Sequence, residues 1–168
     1  MTGVKIAHVN QRREIRSFDY VNHPYAAVRE ALMADAAGVF RAATRSASTR
    51  AESVAAALRV NIAGLEVSAE IALSIGEIHE ASGASPLVRI PVYWEAARRP
   101  GLFPLMDADL SVYPLTPTET QLDFLGRYDP PMSVLGDAVD AVAGHRIAEA
   151  SVHRFVADVA QYLREHVR

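Results

Sequence analysis

At 168 residues, half of them apolar, the chain can bury one large core but is too short to divide readily into two. The formal net charge of -3 leaves no basic face to displace the counterions of nucleic acid, so no nucleic-acid partner is expected. The absence of cysteine excludes disulfides, thiolate nucleophiles and Cys-ligated zinc or iron-sulfur centres.

Residues 1–11 read as a flexible tail, and Lys5, the only lysine, lies within it, which argues against Schiff-base catalysis. Met1 to Val21 lacks the apolar core of a secretion signal, and no apolar run approaches the roughly 20 residues that span a bilayer. The expectation is a cytoplasmic protein without stable membrane insertion. Its preference for Arg over Lys, with abundant Ala, suggests a GC-rich bacterial genome.

Arg13 to Val21 predicts a first strand, ended by Asn22-His23-Pro24, where Asn22 can cap and Pro24 suits a first helical turn. Tyr25, Val28, Leu32, Val39 and Phe40 then recur at helical spacing, and Asp35 and Gly38 break the segment into two short helices. Thr44 to Ser53 is polar and rich in Ser and Arg, and reads as a surface connection. Leu58, Val60 and Ile62 alternate with polar residues before an Ala63-Gly64 turn. Leu65 to Ile75 resumes the alternation, predicting a hairpin with one apolar face.

After Ser82-Gly83-Ala84-Ser85-Pro86, the even positions Val88, Ile90, Val92 and Trp94 form the next apolar side. The same parity continues in Leu110 and Val112, then in Leu122 and Phe124. Pro91 and Pro114 fit edges or bulges, because proline donates no ladder hydrogen bond. From Ser133 the period turns helical. Leu135, Val139, Val142, Ala148, Val152, Phe155, Val156, Val159 and Leu163 fall on one face of a helix roughly 50 Å long at about 1.5 Å per residue. The pattern is an α+β domain: a curved antiparallel sheet of six or seven strands, two short helices after the first strand, and a long C-terminal helix covering the apolar face.

With this order, Trp94, the Leu102-Phe103-Pro104 turn and Gly126-Arg127-Tyr128-Asp129-Pro130-Pro131 followed by Leu135-Gly136 complete a resemblance. Over roughly Arg12 to Val167 the chain resembles the START-like, or Bet v 1-like (SRPBCC), superfamily, which includes polyketide cyclases, aromatases and lipid-transfer domains. The resemblance implies one helix-grip domain over 1–168, with a cavity between sheet and terminal helix that takes lipids, polyketides, isoprenoids or aromatic metabolites. Catalytic residues differ among its branches, so none carries over to a position here.

Within this frame Trp94 and Phe124 share the inward parity and are candidates for the cavity lining, together with Phe103. Tyr128, whose ring is amphipathic, suits the cavity mouth. His145, Glu149 and His153 recur at i, i+4, i+8 along the terminal helix, with His145 nearest the apolar face. His145 is the first candidate for a polar ligand contact, Glu149 the second, and His145 and Tyr128 the candidates to move a proton. Asp107 and Asp109 have the outward parity and read as solvated. So does the Arg98-Arg99-Pro100-Gly101 turn.

No Gly-x-Ser-x-Gly elbow, Gly-x-Gly-x-x-Gly or P-loop occurs, and the His/Glu stripe lacks metalloprotease spacing, so no cofactor or metal is expected. The expected function is binding of a hydrophobic small molecule or lipid between the sheet and the Leu135 to Leu163 helix. The alternatives are a cyclase- or aromatase-like enzyme using the same cavity, and a packed interaction module without ligand. A homodimer is compatible with any of these.

Overall fold

The computed structural model describes residues 12–57, 71–96, 105–128 and 137–168. The tail at 1–11, the expected Leu58 to Ile62 hairpin arm, the Arg98 to Pro104 turn and the Pro130-Pro131 stop lie outside these residues, as do Leu135 and the side chain of Val139. Strand β1 covers Arg13–Val21, and helix α1 covers Tyr25–Ala57. The remaining strands are β2 (Ile71–Ile75), β3 (His79–Ala81), β4 (Leu87–Ala96), β5 (Met106–Thr116) and β6 (Glu119–Tyr128). Helix α2 runs over Asp137–His166.

The strands form one antiparallel sheet in the order β1-β6-β5-β4-β2, with β3 also paired to β4. The period-two pattern orients it as expected: Val88, Ile90, Val92, Trp94, Leu110, Val112, Leu122 and Phe124 are all buried. Both prolines fall where their lost N–H is harmless. Pro91 lies between the β3 and β2 registers on β4, and its carbonyl accepts the Gly76 amide at 2.9 Å. Its nitrogen therefore faces the gap between those two short strands. At Pro114 the β5–β6 register shifts, forming a bulge. The three-residue β3, all of it exposed and without alternation, was not expected.

Asp35 breaks α1, with φ -157° and ψ 62°. Its carboxylate accepts the Gly38 amide at 2.8 Å and so caps the second helical segment. The break is where the sequence puts it, but the second segment is longer than expected: Thr44 to Ser53 is helical, not a surface connection. Ala43, Ala47 and Ala51 supply its buried stripe, each at most 1% exposed, and Ala is the strongest helix former. The buried Thr44 hydroxyl donates back to the Phe40 carbonyl at 2.7 Å.

The two helices share the cover of the sheet. Helix α2 packs along β1 and against α1, while α1 reaches the β2 side, so α2 does not cross the whole sheet alone. Val142, expected on the apolar face of α2, is 56% exposed. It lies at i, i+4, i+7 and i+11 with Arg146, Glu149 and His153, and that stripe faces solvent. Beneath the helices Trp94, Phe124, Phe155 and Phe40 meet edge to face or tilted, at centroid separations of 5.4 to 6.2 Å.

Candidate ligand site

An aromatic cluster packs part of the space expected for the cavity. Where the sequence suggested a hollow between the sheet centre and α2, Phe155 reaches down from α2 onto Trp94 and Phe124, at 5.4 and 5.9 Å. All three side chains are buried. Rings at such spacings occupy the space they enclose.

Among the described residues a hollow of about 760 Å³ lies between the second segment of α1 and β2. Its strand wall is Ile71, Leu73 and Ile75, and its helix wall includes Arg41, Thr44, Arg45 and Ser48. The strand wall continues the apolar face, since Leu73 pairs with Trp94 and Ile75 with Val92. Trp94 and Val92 are fully covered, yet Leu73 and Ile75 are only half-buried, although α1 reaches this strand. The Ser48 hydroxyl ties the two walls by accepting the Ile71 amide at 3.2 Å. Arg41 and Arg45, one turn apart, are exposed at the hollow and make no ion pair among the described residues.

The candidate polar residues meet toward the β1–β6 edge of the same face. Tyr128 Oη lies 2.7 Å from His145 Nδ1, and the two rings are stacked at 6.2 Å between centroids. Arg13, the register partner of Tyr128 on β1, also hydrogen-bonds the phenol. A guanidinium only donates, so the phenol oxygen accepts from Arg13 and its own proton is available to Nδ1, the arrangement in which a neutral His145 ring carries its proton on Nε2. Burial pushes the Tyr128 phenol up, Arg13 opposes this through charge and hydrogen bond, and Glu149 adds a smaller upward push.

Further along α2, Glu149 and His153 are exposed, with His153 Nε2 4.0 Å from the Glu149 carboxylate. His153 Nδ1 meets the buried Ser17 hydroxyl at 2.9 Å. The structure thus joins Tyr128 to His145 and Trp94 to Phe124, keeps these pairs three or fewer strands from β2, and leaves Glu149 at the surface; Phe103 lies outside the described residues. On the outer face Asp107 is exposed and pairs with Arg12 at 3.2 Å. Arg41, Arg45, Arg13 and Ser17 were not singled out from the sequence. The i, i+4 recurrence of Arg41 with Arg45 and of Thr44 with Ser48 was the available signal for the hollow.

Strand order, capped helix break and terminal helix together make a helix-grip fold. No protein-family model and no curated protein matches the chain. Among solved structures it is similar to the Zhui aromatase/cyclase from Streptomyces sp. R1128, at 15% identity and a TM-score of 0.50, covering 94% of this chain and 97% of that one. It is also similar to Ara h 8.0201, at 8% identity and a TM-score of 0.44, covering 93% and 100%. At these identities the likeness is one of fold. Among the described residues no helix is long and apolar enough to cross a membrane.

Proposed function

We propose that the chain binds a hydrophobic small molecule or lipid in the hollow between α1 and β2. The observation that carries this reading is the half-buried state of Leu73 and Ile75, on the same concave face whose neighbours Trp94 and Val92 are fully covered. An apolar ligand would complete the cover, with each buried methylene contributing about 0.8 kcal/mol. The volume of about 760 Å³ suits a drug-sized molecule. Native mass spectrometry of protein purified from its own host should show a retained small molecule, and Leu73→Gln should lose it. Release of nothing on denaturation, with no thermal shift across a panel of lipids and aromatic metabolites, would overturn the reading.

A second reading, cyclase- or aromatase-like chemistry, draws on the Arg13–Tyr128–His145 chain, which holds a phenol and an imidazole in proton-transfer contact. Its test is turnover of a reactive polycarbonyl chain. Tyr128→Phe and His145→Ala should each lower that turnover by about 10²–10⁴-fold if the pair moves the proton. Equal turnover in the variants would remove this reading.

A further inference from the structure

We infer that the ligand of the α1–β2 hollow is an anionic amphiphile, its apolar body on Ile71, Leu73 and Ile75 and its carboxylate or phosphate head on Arg41 and Arg45. This rests on the proposal that the hollow is a binding site, and adds which chemical class it selects. The two walls differ in kind: the strand wall is wholly apolar, whereas the helix wall carries two guanidiniums one turn apart. Among the described residues no carboxylate lines the hollow, and neither arginine has an acidic partner.

Elsewhere Arg12, Arg16, Arg29, Arg127, Arg154 and Arg164 each lie within 4 Å of an Asp or Glu, while Arg50, Arg89, Arg146 and Arg168 have no such partner among the described residues. What sets Arg41 and Arg45 apart is their place together in the lining of the hollow, opposite an apolar wall. Two neighbouring arginines that repel one another and are left without a carboxylate beside an apolar wall suit a ligand that supplies the anion itself. The net charge of -3 means that the chain as a whole does not attract anions, so any preference must arise locally. Planar guanidiniums favour a carboxylate or phosphate over a hydroxyl, because each can donate two parallel hydrogen bonds to charged oxygens.

The test is calorimetric titration of the purified chain, freed of co-purified ligand, with decanoate, decyl phosphate, decanol and decylamine below self-association. Decanoate or decyl phosphate should bind roughly tenfold more tightly than decanol, the scale of two partly exposed charge contacts, and decylamine should bind most weakly. The ratio of the two anions distinguishes a carboxylate-selecting from a phosphate-selecting site. The Arg41→Gln/Arg45→Gln double variant should remove the preference while decanol binding persists. The Arg146→Gln/Arg168→Gln double variant, which makes the same change in net charge outside the hollow, should leave it intact. Equal binding of decanol and both anions, or a preference that survives the double variant, overturns the inference while the hydrophobic site stands. Binding of none of the four overturns both.

Discussion

Tyr128 Oη and His145 Nδ1, 2.7 Å apart, join the last strand to the terminal helix at a partly buried point. Tyr128→Phe keeps the ring and its packing but leaves Nδ1 without its donor, and should cost about 1–3 kcal/mol in urea unfolding. In the parent chain the imidazole ¹⁵N shifts of neutral His145 should show the proton on Nε2. Unchanged stability beside a proton on Nδ1 would contradict the assigned direction of the bond.

The same phenol makes stability depend on alkaline pH. Its pKa is displaced upward on folding, chiefly by burial, so the native state holds that proton more tightly than the unfolded chain does. The contribution is complete below the ordinary phenol range and is lost as pH rises beyond about 10. Tyr25 and Tyr113 are displaced upward for the same main reason and act in the same direction. Urea midpoints measured between neutral pH and strongly alkaline pH should therefore fall at the high end. Tyr128→Phe should lessen that fall without abolishing it.

Phe155→Ala removes the ring that α2 places against Trp94, Phe124 and Phe40, and should cost about 3–5 kcal/mol. Trp94, 1% exposed, should emit in the blue-shifted range in the parent chain and at longer wavelength in the variant. An unshifted spectrum with parent-like stability would mean that the centre is not packed as described.

At the helix break two substitutions should act alike although simple propensity sets them apart. Asp35→Ala removes the cap on the Gly38 amide and should cost about 0.5–2 kcal/mol. Gly38→Ala would ordinarily stabilise a helix by up to about 1 kcal/mol. Here, however, a Cβ at position 38 would collide with the Asp35 carboxylate, so the cap must open to admit it. Thermal denaturation should show a loss or no gain for Gly38→Ala, and a clear gain would show that the cap contributes little.

The strands were legible because one buried face imposes period two: the parity of Val88 to Trp94, of Leu110 and Val112, and of Leu122 and Phe124 was readable without coordinates. The break at Asp35 was legible for a related reason, since a capping side chain before a glycine interrupts a helical pattern. The second segment of α1 was not, because its buried stripe is alanine, whose small side chain leaves Ser, Thr and Arg to dominate the local composition. The site was less legible still. Nothing local says that Phe155 packs onto Trp94, that Tyr128 meets a histidine 17 residues on, or that Leu73 is left only half-buried. Those facts depend on where two helices come to rest on a sheet.

Ala43, Ala47 and Ala51 line neither wall of the hollow, yet they lie on the buried side of the helix that forms one of them. A larger side chain in that row must displace the helix, and with it Arg41 and Arg45, relative to the strand. The aperture can thus be retuned by methyl groups that never touch its contents. Over generations such a row would let descendants of this chain change the width of the hollow while every lining residue stays the same.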